Sequence, residues 1–262
     1  MRSAVSLALA ALLALAGCAS VPEDDGLLAS TSIQRDLPRE AGALIEVARF
    51  SQMRAGAPLP GDWLGWGLRS GKRPTEYRLV RGEPGTVLEA RAEQAATGLY
   101  RRIRVDPHRQ SLLEWSWRVD QLIAGANLNS AAREDSPARL VVSFYGDPQM
   151  LDFQQRTMLR LARAFAGEAL PYAMLIYVWS NTIPVETALP SPQIERIRMI
   201  VVESGGANLG RWRQYRRNVV EDYRRAFGEH AGDIVAVGVM TDSDNTQQSA
   251  RALYGDITLR AP

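Results

Sequence analysis

The sequence predicts an all-β dominated protein, an antiparallel β-sandwich that is jelly-roll-like and carries two peripheral α-helices. Three observations predict this fold class. The first is that about ten short segments rich in β-branched and apolar residues recur along the chain, and the second is that glycine, proline and aspartate separate these segments. The third observation is that strands do not alternate with regular helices, as they would in a parallel α/β sheet.

An export signal is the first predicted element. Arg2 precedes an apolar run over residues 4–16, and the sequence Leu-Ala-Gly-Cys at 15–18 has the form of a lipobox. The apolar run is shorter than the roughly 20 residues that a transmembrane helix needs, which disfavours the alternative of an uncleaved anchor. We therefore expect residues 1–17 to be a lipoprotein signal peptide and Cys18 to carry the lipid.

Cys18 is the chain's only cysteine, so its sulfur serves the anchor and the exported domain has no disulfide. Two or three acyl chains hold a protein on a bilayer far more firmly than one chain does. Ala19 and Ser20 follow the cysteine, and the sorting rule for Gram-negative lipoproteins associates the lack of aspartate there with the outer membrane. The sequence thus predicts a membrane partner and a location in the cell envelope, on the outer membrane and facing the periplasm.

Residues 18–41 are predicted to be a flexible tether, because they are short of aromatic residues and rich in proline, aspartate and serine. Residues 42–262 are long enough for a single β-sandwich domain with its own core. The 31 basic residues nearly balance the 29 acidic ones, for a net charge of +2. Nucleic acid is therefore not an expected partner.

The predicted strands are marked by short apolar runs or by alternation of apolar and polar residues. They cover residues 45–50, 76–80, 86–90, 99–105, 112–119, 138–145, 173–179, 196–202, 233–240 and 256–259.

Two helices interrupt these strands. The first is predicted from Asp147, as N-cap, through Pro148 to an end at Gly167. The second is predicted over residues 209–227, just before Gly228. Its apolar stripe at helical spacing consists of Trp212, Tyr215, Val219, Tyr223 and Phe227.

Tryptophans on a predicted strand are candidate ligand contacts. Trp115 and Trp117 share one face of the strand 112–119, whereas Glu114 and Arg118 share the other. The simpler interpretation packs both tryptophans in the sandwich core. The alternative lines a concave groove with them, where their rings would stack on sugar rings.

Arg139, on the next long strand, has two candidate roles as well. An ion pair with Glu114 or Asp135 across strands is the simpler one. The alternative is a groove in which Arg139 joins Glu114, Arg118 and Tyr145 to bind an acidic or hydroxyl-rich ligand.

Three further tryptophans leave similar alternatives open. Trp63 and Trp66 lie in a glycine-rich loop, where the rings either contact a ligand or fold back onto the core. Trp179 ends the predicted strand 173–179 and has the same two alternatives.

A candidate calcium site follows the strand 233–240. Asp242, Asp244 and Asn245 offer the oxygen ligands that a hard cation prefers. The loop is not an EF-hand, because Gln247 stands where that loop needs glycine and Leu253 where it needs glutamate. The alternative is a turn in which these side chains bond their own backbone. Calcium is thus the one candidate ion, and the sequence requires no cofactor.

Catalytic motifs are scarce. The chain has only two histidines, His108 and His230, too few for a multi-histidine zinc site. No nucleophile elbow, P-loop or dinucleotide fingerprint occurs in the sequence. A pair of carboxylates for glycoside cleavage remains open, because aspartate and glutamate are common.

Five phrases of the sequence resemble the bacterial family known as the domain of unknown function 3047. They are LEWSWRV at 113–119, PYAMLIYVW at 171–179, DYRRAFG at 222–228, MTDSDNT at 240–246 and YGDI at 254–257. The resemblance spans nearly all of the predicted domain. It implies a periplasmic or envelope protein, and it assigns no catalytic residue, because no activity is tied to the family.

Three hypotheses for the function follow. The leading one is a noncatalytic, outer-membrane-anchored β-sandwich that binds a glycan or an envelope protein. The second is a carboxylate-based polysaccharide hydrolase or lyase, and the third is a structural envelope lipoprotein. A pocket that collects two or more carboxylates about 5 to 10 Å apart beside exposed aromatic rings would favour the enzyme. Exposed tryptophans without such carboxylates would favour binding, and a flat closed surface would favour the structural hypothesis.

Overall fold

Two β-sheets form the protein in a computed structural model that describes residues 37–67, 71–83, 85–157 and 171–262. The predicted signal peptide, Cys18 and most of the predicted tether lie outside these residues. In chain order the strands are β1 (Leu44–Ala48), β2 (Trp63–Trp66), β3 (Glu76–Gly82), β4 (Gly85–Glu93), β5 (Ala96–Val105), β6 (Leu112–Val119), β7 (Ser136–Phe144), β8 (Ala173–Ser180), β9 (Ala188–Pro190), β10 (Ile197–Ser204), β11 (Arg213–Asn218), β12 (Ile234–Asp242) and β13 (Ser249–Arg260).

The six-stranded sheet has the order β11-β6-β13-β4-β3, and β1 pairs with the second half of β13. The seven-stranded sheet has the order β2-β5-β12-β7-β8-β10-β9. The predicted all-β sandwich is therefore confirmed. Every one of the ten predicted segments overlaps a strand, although the segment 45–50 runs past the end of β1 into a 3₁₀-helix at Phe50–Gln52.

One pair of strands departs from the predicted antiparallel arrangement. After β8 the chain forms β9 at the edge of the sheet. It then returns as β10, which lies between β8 and β9 and runs antiparallel to β9 and parallel to β8. Three strands were not predicted, namely β2, β9 and β11. The first two are short, with four and three residues, which leaves little room for a periodic signal.

The core lies between the two sheets, and alternation along each strand directs side chains into it. On β6 the side chains of Leu113, Trp115, Trp117 and Val119 face inward and are nearly inaccessible to solvent. A smaller apolar cluster covers the outer face of the seven-stranded sheet and includes Ile176, Met199 and Met240. This second cluster supports the site described below.

The second predicted helix is wrong over its first half. Residues 213–218 form β11, an edge strand paired with β6, and only Val219–Phe227 form a helix, α1. The Asn218 side chain accepts hydrogen bonds from two backbone N–H groups of the first turn, which explains why α1 begins there. It ends at Gly228, whose φ of 72° suits glycine.

The first predicted helix is also different in its opening turn. The Asp147 side chain does cap a turn, but that turn is a 3₁₀-helix of three residues, Pro148–Met150. Residues 153–157 are helical, and the rest of the predicted helix lies outside the described residues. No helix in the described part of the chain is both long and apolar enough to cross a bilayer.

The end of the predicted tether contacts the domain. Arg39 forms an ion pair with Asp233 at 2.9 Å, and the backbone N–H of Glu40 donates to the Arg104 carbonyl. Contacts with the folded part thus begin a few residues before position 42.

Candidate functional site

A pocket opens on the outer face of the seven-stranded sheet, beside the end of β12. We call it the Trp66 pocket. Its cavity holds about 60 Å³, which is room for the end of a ligand rather than for a chain. The polar lining residues are Lys72, Glu134, Arg139, Ser191, Gln193, Asp242, Asp244 and Asn245. Apolar lining comes from Trp66 and from residues of the outer apolar cluster.

Arg139 and Asp242 form the buried base of the pocket. The Arg139 side chain is 4% exposed, and its guanidinium donates to both carboxylate oxygens of Asp242, at 2.9 and 3.0 Å. It also donates to the backbone carbonyl of Glu134 and lies 3.6 Å from that residue's carboxylate. A planar guanidinium is the group that binds a carboxylate through two parallel hydrogen bonds. The sequence predicted an ion pair for Arg139, but with Glu114 or Asp135 as the partner.

Burial raises the pKa of Asp242 to about 7. The charge of Arg139 acts in the opposite direction, and the nearby carboxylates of Asp135 and Glu134 add to the increase. Carboxylates in close proximity resist simultaneous ionisation. The pocket therefore contains an acid that titrates near neutral pH.

Asp135, Asp242 and Asp244 bring one carboxylate oxygen each within 4.8 Å of one another. Asp135 accepts hydrogen bonds from the backbone N–H groups of Asn245 and Thr246 and from the Thr246 hydroxyl. Lys72 forms an ion pair with Asp244. Lys72 is the only lysine of the chain. Its ammonium group is a compact point charge, whereas the guanidinium of an arginine is larger and planar.

These contacts favour the turn over the calcium site at Asp242, Asp244 and Asn245. Arg139 and Lys72 already supply cations to the two carboxylates, and the Asn245 side-chain amide donates to the Ala131 carbonyl at 2.8 Å. A calcium ion would need six to eight oxygen ligands in place of these partners. The oxygens are present, but Arg139 and Lys72 already balance the charge of the two carboxylates that a calcium ion would have to neutralise.

Trp66 forms one wall of the pocket, and Gly98 on the neighbouring strand makes room for it. The two residues face each other across the β2–β5 pair, and a Cβ atom at position 98 would overlap the Trp66 indole. The ring is half-buried and lines the cavity. Because Gly98 has no side chain, the Trp66 ring can lie against the neighbouring strand at a position that a ligand can reach.

Four other tryptophans proposed as ligand contacts lie in the core. Trp115, Trp117 and Trp179 are at most 3% exposed, and Trp63 is 7% exposed and packs on Phe50. Trp117 donates to the Tyr215 hydroxyl and Trp179 to the Gly205 carbonyl, so their N–H groups are satisfied inside the protein. The hypothesis of a groove lined by Trp115 and Trp117 is wrong, because inward-facing positions of both sheets meet there.

The groove that would join Glu114, Arg118 and Arg139 is not formed either. Glu114 and Arg118 lie on the outer face of the six-stranded sheet, whereas Arg139 lies on the outer face of the other sheet. Glu114 pairs with Arg216 and Arg260, and Arg118 pairs with Asp120. A sequence shows which residues share a strand face, but not which sheet the strand joins.

Sequence reasoning missed several residues of the pocket, namely Lys72, Glu134, Ser191 and Gln193. Ser191 and Gln193 both donate to the Glu134 carboxylate. All four lie in loops without periodicity, and no motif marks them. The sequence did offer one signal for the pocket, because Lys72 is the only lysine among 31 basic residues.

One of the comparisons with known proteins identifies a family, and that family has no stated activity. A family model described as a protein of unknown function (DUF3047) matches residues 61–258. No curated protein matches the sequence. Among solved structures, the chain is similar to the glycoside hydrolase domain of Spr0440, Endo-D, from Streptococcus pneumoniae R6, with 8% identity and a TM-score of 0.29. That similarity covers 75% of this chain and 21% of the other.

Proposed function

The chain belongs to the DUF3047 family of proteins of unknown function, and we propose that it is a noncatalytic, lipid-anchored envelope protein that binds the end of a glycan in the Trp66 pocket. The observation that carries this proposal is the composition of the pocket. Donors and acceptors converge beside one accessible indole ring and an apolar floor.

Sugar hydroxyls need such mixed surroundings, because each hydroxyl both donates and accepts a hydrogen bond. Lys72 and Arg139 offer donors, whereas Glu134, Asp242 and Asp244 offer acceptors. The face of Trp66 offers the flat apolar surface on which the C–H side of a pyranose ring packs. Among these convergent polar groups, Asp242 has a perturbed pKa, which is a feature of functional sites.

Binding is favoured over catalysis because the protein itself engages the carboxylates. Asp242 accepts from Arg139 and from the Ser136 backbone, and Glu134 accepts from Ser191 and Gln193. A nucleophile or general acid has to approach the scissile bond, and these partners hold the carboxylates in place.

Binding to neutral oligosaccharides, measured with the purified full-length protein on a glycan array and then by calorimetry, tests the pocket. Trp66→Ala should weaken binding at least fivefold by removing the stacking surface. Leu64→Ala is the matched control, since Leu64 lies on the same strand, is 36% exposed and does not line the cavity. Equal losses in both variants, or no loss in Trp66→Ala, would refute the assignment of the site.

Gly98→Ala tests the position of Trp66 without touching the ligand. The added methyl group overlaps the indole, so the ring must move and binding should fall, while the circular dichroism spectrum stays that of a β-protein. Unchanged affinity would mean that the position of this ring does not matter for binding.

The lipid anchor is tested separately. Cys18→Ala removes the sulfur to which the acyl group would attach, so the protein should leave the membrane fraction or accumulate as precursor. A variant that stays membrane-bound after a salt wash, with the mobility of the wild type, would exclude acylation at Cys18. Separation of inner and outer membranes on a sucrose gradient then tests the outer-membrane location.

A second candidate function, polysaccharide cleavage, rests on the raised pKa of Asp242, which is a property of general acids. Release of new reducing ends from a bound glycan, lost in Asp242→Asn, would replace binding by catalysis as the function. Turnover that survives this substitution would point to a contaminating enzyme.

A further inference from the structure

We propose a second ligand site on the opposite face of the sandwich, which binds an acidic saccharide, one that carries carboxylate groups. The site is an open groove of about 390 Å³ on the outer face of the six-stranded sheet. We call it the Trp212 groove. Its lining residues are Arg81, Gly82, Glu83, Arg118, Asp120, Trp212, Arg251 and Leu253.

The groove has more cations than anions. Arg81, Arg118 and Arg251 contribute three positive charges, whereas Glu83 and Asp120 contribute two negative ones. A guanidinium is a planar fork that binds a carboxylate with two hydrogen bonds. The charge and its geometry thus favour an anionic ligand over a cationic one.

Two of the three guanidinium groups are held in place. Arg251 donates to Glu89 at 2.7 Å and to Asp120 at 2.9 Å, and Arg118 donates to Asp120 at 2.8 Å. Within the described residues, Arg81 forms neither an ion pair nor a side-chain hydrogen bond. Arg81 lies at the exposed end of the β3–β4 hairpin, so a ligand can use its charge without breaking an existing contact.

Trp212 supplies the surface for a sugar ring. It precedes β11 and is half-buried in the groove wall. Its indole N–H is shielded from solvent and meets no acceptor among the described residues. An indole face beside guanidinium groups binds a ring through C–H contacts and its carboxylate through the cations.

The groove and the Trp66 pocket are different sites. A volume near 400 Å³ suits a ligand of several hundred daltons, whereas the Trp66 pocket holds about 60 Å³. The two also lie on opposite faces of the sandwich, the pocket on the seven-stranded sheet and the groove on the six-stranded sheet. The acidic saccharide site is therefore independent of the proposed pocket function.

Calorimetry with the full-length protein and trigalacturonate tests the proposal, and the trimethyl ester of the same trisaccharide is the neutral probe. We expect trigalacturonate to bind at least tenfold more tightly than the ester. Trp212→Ala and Arg81→Gln should each weaken trigalacturonate binding at least fivefold. Arg78→Gln is the matched control, because Arg78 lies on the same strand, is 67% exposed and does not line the groove.

Several results would overturn the proposal. They are the absence of trigalacturonate binding, equal affinity for acid and ester, equal losses in Arg81→Gln and Arg78→Gln, and a loss confined to Trp66→Ala. Binding to phosphatidylglycerol vesicles but not to trigalacturonate would show a membrane-binding surface instead.

Should Trp212→Ala fail to fold, Arg81→Gln still tests the proposal, because the Arg81 side chain makes no contact that stabilises the described residues. Loss of neutral-sugar binding in Trp66→Ala, with trigalacturonate binding intact, would separate the two sites.

Discussion

The Trp66 pocket and the Trp212 groove are built from similar residues, with carboxylates, basic side chains and one tryptophan each, yet they differ in burial. In the pocket the side chains of Arg139 and Asp242 are 4% and 7% exposed. In the groove those of Arg118 and Arg251 are 27% and 42% exposed. The comparison teaches that burial, more than residue type, determines what an ion pair does for a protein.

The physical reason is solvent. In the groove, water and salt screen the charges, so an ion pair there contributes little to stability but stays accessible to a ligand. In the pocket the charges have lost their hydration, so each depends on its partner, and the loss of one partner leaves the other buried and unpaired.

The largest expected difference between the two regions concerns stability. At pH 8, where Asp242 is ionised, Arg139→Met should lower the free energy of unfolding by about 3–5 kcal/mol, because Asp242 would lose its buried counter-ion. Arg118→Met, the matched change in the groove, should lower it by no more than about 1 kcal/mol. Urea unfolding of both variants measures the two values. Similar losses would show that burial does not separate the two regions.

The second prediction concerns pH. Burial raises the pKa of Asp242 from 3.8 to about 7 in the folded protein, so its contribution to stability is full below pH 3.8 and declines as the pH rises to 7. Relative to Asp242→Asn, the wild type should therefore lose stability over this interval, by at most about 1.4 kcal/mol per pH unit. A constant difference between the two proteins from pH 4 to 7 would contradict the raised pKa.

Glu89, a buried carboxylate that pairs with Arg251 beneath the Trp212 groove, provides the opposite case. Burial acts to raise the pKa of Glu89, but hydrogen bonds from Arg91 and Arg251 outweigh it and hold the pKa below its usual 4.5. Its contribution to stability is then present above pH 4.5 and lost as the pH falls through the lowered pKa. Relative to Glu89→Gln, the wild type should lose stability on acidification below that pH. A gain on acidification would be inconsistent with the lowered pKa.

A smaller effect on stability is expected for Lys72, the only lysine of the chain, and for Arg81, which has no partner within the described residues. Lys72→Met should cost about 1 kcal/mol, since Lys72 is partly exposed and pairs with the more buried Asp244. Arg81→Gln should change the free energy of unfolding by less than about 0.5 kcal/mol, because it breaks no contact within the described residues. Thermal unfolding of both variants checks the order, and a larger loss in Arg81→Gln would contradict it.

The smallest expected effect is that of calcium. Ligands that bind only the native protein raise its stability by RT ln(1 + [L]/Kd). Since Lys72 and Arg139 already pair with Asp244 and Asp242, melting curves in calcium and in a chelator should coincide. An increase in calcium that Asp242→Asn with Asp244→Asn abolishes would restore the calcium site.

The fold was largely predictable, because inward and outward positions alternate along strands such as β6 and β13. The failures have local causes. Residues 213–218 carry aromatic residues at helical spacing, but Arg213, Tyr215 and Arg217 also alternate as in a strand, and pairing with β6 selects the second pattern. Asp147 caps a turn as predicted, although the cap does not determine how far the helix extends.

The candidate site was less predictable, because it depends on contacts between residues that are far apart in the sequence. Asp242 and Asp244 stood out in the sequence, but their partners Arg139 and Lys72 are 103 and 172 positions away. Trp115 and Trp117 attracted attention as aromatic residues, although their alternation with Glu114 and Arg118 equally indicated a core face. Only the assembled sheets distinguish Trp66, at a pocket, from Trp179, in the core.

The single lysine has a practical consequence for experiments on this protein. Amine-directed reagents, which include common fluorophores, cross-linkers and sensor-chip couplings, can react with one side chain, Lys72, apart from the α-amino group. That side chain lines the Trp66 pocket. Immobilisation through Lys72 would therefore block the proposed binding site and produce a false negative, whereas attachment through an added tag leaves the site open.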